Sequence, residues 1–124
     1  MADEALKEQR KIAAHDPRDL MESTLLSLTL VTSAEIADAL GQRNRAENYL
    51  DEAEKIYTAV YNQNRKEVTA AMPLSRVWKS WAAHWKKAGD EAQAKPWLEK
   101  EQRLWSEFPE QNEFVKRQLA VPGR

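Results

Sequence analysis

Two of the three glycines in this 124-residue chain stand 48 positions apart, and each interrupts a helical pattern. Ahead of Gly89, Trp78, Trp81 and Trp85 recur at i, i+3 and i+7. Behind it, Ala94, Trp97, Leu98 and Leu104 form one apolar face. A helical stripe, a glycine and a second stripe read as a helix–turn–helix unit. Gly89 falls just past the first helix, and Asp90 can cap the second. The same plan surrounds Gly41, with Ala46 matching Ala94, Leu50 matching Leu98 and Leu30 in the place of Trp78. A chain patterned this way is expected to be all-α, an antiparallel array of five to six helices forming one domain.

In chain order, Ala2–Ala14 is expected to be an amphipathic helix with Ala5, Leu6, Ile12 and Ala13 as its apolar set. His15-Asp16-Pro17 ends it, Asp16 serving as N-cap and Pro17 as the first residue of the next helix. That helix runs to about Leu40. Its Leu20, Leu25, Leu28, Val31, Ile36 and Leu40 cover more than one face, the pattern of a helix packed between neighbours. Leu25–Val31 is apolar enough for a strand but sits within this longer helical pattern. Asn44–Val68 follows, with Ala46, Tyr49, Leu50, Ala53, Ile56, Tyr57, Val60 and Tyr61 facing inward. Ala70–Pro73 reads as the internal linker, with Pro73 opening a helix over Leu74–Ala88. Two hairpins result, at about 17–68 and 73–108, flanked by helices at 2–14 and 111–120. Pro96 conflicts with a regular helix over Glu91–Phe108, because proline removes a donor and crowds the preceding turn. That helix is expected either to start near Pro96 or to have a kinked or 3₁₀ first turn.

Composition sets the outer bounds. With no cysteine, disulfides and thiolate metal sites are excluded. A net charge of −1 argues against a general nucleic-acid binder. No apolar run reaches the length of a membrane span and no secretory h-region is visible, so a cytoplasmic location is expected. The charge is uneven: Met1–Asn62 carries 7 basic and 12 acidic residues, whereas Gln63–Arg124 carries 12 and 8. A molecule this dipolar suits head-to-tail self-association or oppositely charged partners.

The aligned positions resemble a tetratricopeptide-like (TPR-like) helical repeat. Trp78, Trp81, Ala82, Trp85, Gly89, Ala94 and Leu98 carry the resemblance, echoed by Leu30, Ala34, Ala37, Gly41, Ala46, Leu50 and Ala53. The period of 48 exceeds the roughly 34 residues of the standard repeat. It is similar to the long-period repeats appended to some bacterial serine/threonine kinases, whose junctions read like Ala14–Leu20 and Trp105–Ala120. No kinase signature is present, so the resemblance implies an accessory segment of a larger signalling protein, without catalysis.

Catalytic, cofactor and metal sites find no support in the residue pattern. The tryptophans read as core with at least one indole reaching the surface. His84 is expected opposite Trp81 on the outer side of its helix, with no acidic residue within a turn to orient it. His15 with Asp16 reads as a cap, and Asp51, Glu52 and Glu54 as a solvated face. There is no phosphate-cradling glycine loop or nucleophile elbow. The remaining candidate is the basic face of the helix over 74–88, where Arg76, Lys79, Ala83, Lys86 and Lys87 are expected to share the outer side. In TPR-like arrays such a face lines the ligand groove, so the resemblance implies an acidic peptide or C-terminal carboxylate as partner. The expected function is thus a non-catalytic protein–protein interaction module. The alternative is a structural self-association domain, and a small all-α enzyme stands third.

Overall fold

The computed structural model describes residues 20–120. Five helices follow one another: α1 Leu20–Ala39, α2 Arg43–Gln63, α3 Val68–Lys87, α4 Glu91–Ser106 and α5 Glu113–Ala120. No strand occurs among the described residues, so the chain is an all-α antiparallel array. The readings placed on 2–14 and on His15, Asp16 and Pro17 lie outside the described residues.

Both glycine turns form as the spacing predicts. Gly41 and Gly89 adopt φ of 77° and 75°, a left-handed conformation that costs glycine least. Each turn then closes by the same two bonds. Gly41 N–H donates to Asp38 and Gln42 N–H to Ala37, as Gly89 N–H does to Lys86 and Asp90 N–H to Trp85. These are the paired bonds of a Schellman turn. Asp90 caps α4 by accepting from Gln93 N–H at 3.1 Å. Reversal at these turns makes α1 and α2 antiparallel, and α3 and α4 likewise. Asn64–Glu67 reverses the chain again, so α1 and α3 run in the same direction and pack side by side.

Small residues let these helices approach closely. Ala34, Ala37, Ala46, Ala53, Ala82 and Ala94 are all buried, as expected where helix axes cross. Around them Leu26, Leu30, Leu50, Tyr57, Leu74 and Val77 complete the main core. Burial of a leucine of this kind stabilises by about 1.5–3 kcal/mol. Leu104, Trp105, Phe108 and Val115 build a second cluster with Ala71, holding α5 against α4. The two hairpins share a plan but not a burial pattern. Leu30 and Leu50 are sealed, whereas their counterparts Trp78 and Leu98 are half-exposed.

Three expectations need correction. The segment 70–73 is no linker: α3 starts at Val68 and runs straight through it. Ala70 and Ala71 are fully buried there, and the packing of two strong helix formers outweighs the cost of Pro73. Pro96 likewise sits inside α4, which begins at its Asp90 cap. Each proline is the sixth residue of its helix, so the carbonyl it leaves without a donor belongs to Thr69 or Ala92. Both are exposed first-turn residues where water can take that carbonyl. The third correction concerns α1. Leu26, Leu30, Val31, Ala34 and Ala37 form its buried face, while Leu25, Leu28, Ile36 and Leu40 are exposed. The helix does pack between two neighbours, α2 and α3, but among the described residues these leave one of its apolar sides exposed.

Candidate functional site

Because α1 and α3 run in parallel, a groove of about 500 Å³ forms between them. One wall is α1, contributing Leu28, Thr32, Glu35 and Asp38. The other is α3, contributing Met72, Arg76, Lys79, Ala83 and Lys87, with Ser75, His84 and Trp105 also lining the cavity. Four of the five residues expected on the basic face therefore meet in one place. Lys86 does not; it lies on the far side of α3 beside α4, with Glu91 and Lys95.

The basic wall is not uniform. Lys79 Nζ lies 3.5 Å from Glu101 Oε1 of α4, so its charge is already engaged within the chain. Arg76 and Lys87 form no ion pair among the described residues and are the wall's uncommitted cations. Met72 beside them on α3 and Leu28 opposite on α1 are 40% and 49% exposed, so the groove also carries apolar surface. Among the described residues the groove thus combines unpaired cations with uncovered apolar surface.

At one end of the groove sits a side chain placed wrongly by the reading of its helix alone. His84 is buried, not on the outer side, and its ring contacts Trp81 edge-on at 5.9 Å and Trp85 at 5.1 Å. Its partners come from other helices. Nδ1 lies 2.8 Å from Asp38 Oδ2 of α1, and Nε2 lies 2.9 Å from Glu47 Oε2 and 3.0 Å from Arg43 Nη2 of α2. When Nε2 carries a proton it donates to Glu47; when bare it accepts from Arg43. In both states Nδ1 donates to Asp38. Arg43 also stacks its guanidinium 5.8 Å over the Trp85 ring. Three helices are therefore tied at one imidazole, and neither ring nitrogen is left free to move a substrate proton.

A second buried polar centre joins α3 to α4. Glu101 is fully buried, and its Oε1 accepts from Ser75 Oγ at 2.9 Å and from Trp105 Nε1 at 3.0 Å. Sequence reading passed over Glu101. The available signal was its spacing, seven after Ala94 and four before Trp105, which puts a carboxylate in an apolar stripe. With Lys79 at its rim, Lys79→Glu would set a second carboxylate against the buried one.

The tryptophans behave largely as core. Trp81 and Trp105 are buried, while Trp78, Trp85 and Trp97 are half-buried. Trp81 stacks on Trp97 with centroids 4.9 Å apart, and Trp78 Nε1 donates to Glu54 at 2.9 Å. Lys100 lies 4.5 Å over the Trp97 ring. Trp81 Nε1 is buried without a hydrogen-bond partner, for which the surrounding contacts give no account.

Among the described residues no group of His, Asp and Glu has the arrangement to hold a metal ion, and no helix is long and apolar enough to cross a membrane. No family model, curated protein sequence or solved structure matches the chain.

Proposed function

We propose that this chain is a non-catalytic protein-interaction module whose α1–α3 groove receives an acidic peptide with apolar anchors. The observation that carries the reading is the pairing of uncommitted Arg76 and Lys87 with exposed Leu28 and Met72 in one groove. A ligand that offers only carboxylates would leave the apolar surface wet, and one that is only apolar would leave the cations unused. The TPR-like resemblance supports the same reading, since in such arrays the first helices of successive hairpins line the ligand groove. A cytoplasmic setting and an accessory role within a larger signalling protein belong to this reading too. Catalysis draws no support from His84, because both its nitrogens are engaged.

Arg76 and Lys87 are held on α3 by Trp81 and Val77 in the core, so little backbone freedom is lost on binding. The test is fluorescence anisotropy with a labelled helical peptide of leucine and glutamate and its leucine–lysine counterpart. The acidic peptide should bind, weaken with salt and lose about tenfold in affinity in the Arg76→Glu/Lys87→Glu chain. Two exposed ion pairs worth about 0–1 kcal/mol each account for that loss. Equal binding of both peptides, or an unchanged affinity in the double variant, would overturn the groove as an acidic-peptide site.

A further inference from the structure

The groove asks for an acidic helix with apolar anchors, and α1 is itself such a helix. Its charged residues are Glu22, Glu35 and Asp38, with no lysine or arginine. Along its outer side and just past its end, Leu25, Leu28, Ile36 and Leu40 are 43%, 49%, 53% and 67% exposed, four large apolar side chains that run from the groove at Leu28 to the α2 side at Ile36 and Leu40. Monomeric soluble proteins seldom leave a contiguous apolar strip of this kind uncovered. We infer that the occupant of this surface is a second copy of the chain, paired through antiparallel α1 helices about a two-fold axis. The inference rests on the groove reading above and names its partner.

The register follows from the sequence and one hydrogen bond. With exposed Thr32 at the axis, Leu28 of one copy faces Ile36 of the other, and Leu25 faces the last turn near Leu40. A short threonine at the axis lets the helices approach closely. The Asp38–His84 bond sets the offset between α1 and α3 at 46 residues, which places Arg76 level with Leu30. The same antiparallel register places Glu35 of the partner copy level with Thr29. A two-fold of this type keeps the α3 side of one copy against the α3 side of the other. Glu35 of each copy therefore comes beside Arg76 of its mate, and neither residue forms an ion pair among the described residues of its own chain. Charge and apolar surface are then complementary in one arrangement, twice over by symmetry.

Sedimentation velocity on the whole chain tests this. The mass should rise from 14.3 kDa toward twice that value between about 1 and 100 µM chain, the weak end of specific interfaces. Ile36→Glu and Leu40→Glu, both at exposed positions, should each leave the helical circular dichroism intact and abolish the dimer. Glu35→Arg and Arg76→Glu should each weaken it by about tenfold, and the two together should restore it to within about threefold. A monomer at every concentration would overturn the proposal and assign the stripe to residues 2–14 or to a different protein. So would a dimer indifferent to Ile36→Glu, or one that the charge swap fails to restore. Acidic-peptide binding measured on the Ile36→Glu chain separates the two readings. Binding there beside a monomeric wild type refutes the self-pairing and keeps the groove. A swap-restored dimer that binds no acidic peptide supports the self-pairing and removes the general peptide site.

Discussion

His84 and Glu101 are both sealed from solvent, yet their surroundings differ in kind. His84 is met by charges of both signs: Asp38 from α1, and Arg43 and Glu47 from α2. Glu101 is met chiefly by neutral donors, Ser75 and Trp105, with the Lys79 ammonium farther off at the half-exposed rim. The first centre ties three helices across the turn between α1 and α2; the second staples one hairpin. A buried polar side chain is satisfied in either setting, but by different means. One relies on opposing charge, the other on hydrogen bonds that a neutral group could equally well accept.

Removing the ring is the harshest test of that contrast. His84→Ala leaves Asp38 buried without its donor and empties a volume between α1 and α3. The urea midpoint should report a loss of about 3 kcal/mol or more, from a buried carboxylate left without its donor together with the cavity the ring leaves. A loss under about 1 kcal/mol would mean that Arg43 can stabilise Asp38 alone.

The same chemical change at the two centres sharpens the comparison. Asp38→Asn removes the charge opposite His84 and should cost about 1–3 kcal/mol, since hydrogen bonds to charged groups are the stronger ones. Glu101→Gln keeps an oxygen on which both Ser75 and Trp105 converge, and gives up the half-exposed pairing with Lys79. Its cost should stay below about 1 kcal/mol. Equal losses in the two variants would show that charge matters no more at His84 than at Glu101.

Tyr61 provides the smallest effect, from a titrating group outside both centres. It packs against both apolar clusters, and burial pushes its phenol above the ordinary 10.0. Nearby Arg65 pulls the value down and Glu107 pushes it up. A folded pKa above the unfolded one contributes stability that is fully present below pH 10 and is lost as pH rises through the folded value. Thermal melts should therefore fall on the alkaline side in the native chain, and Tyr61→Phe should remove part of that fall. Identical alkaline limbs would place the cause in other groups.

The helices and their turns were legible because their determinants are local. Gly41 and Gly89 adopt the left-handed conformation that their places in the pattern require, and Asp90 caps as its position suggests. The inward set of α2 is buried or half-buried as its spacing indicates. Pro73 is misleading in the sequence because its cost is local, whereas the burial of Ala70 and Ala71 that offsets it arises only in the packed array. The candidate site was half legible. Arg76, Lys79, Ala83 and Lys87 do share a groove, but the commitment of Lys79 to Glu101 and the turning away of Lys86 depend on where α4 lies. His84 was misplaced for a related reason: its partners are 46 and 37 residues away, beyond any search along one helix.

By itself the sequence determined that this chain is a set of helices reversing at two glycines, since helical period, capping and a positive φ act within a few residues. The tertiary structure alone decided which side of α1 is buried. That helix is apolar around most of its circumference, so its periodicity selects no face, and only the arrival of α2 and α3 distinguishes Leu30 from Ile36. The charge balance at His84 was decided in the same way. Coulombic pairing depends on distance in space, and no residue near His84 in the chain carries the carboxylates that surround it.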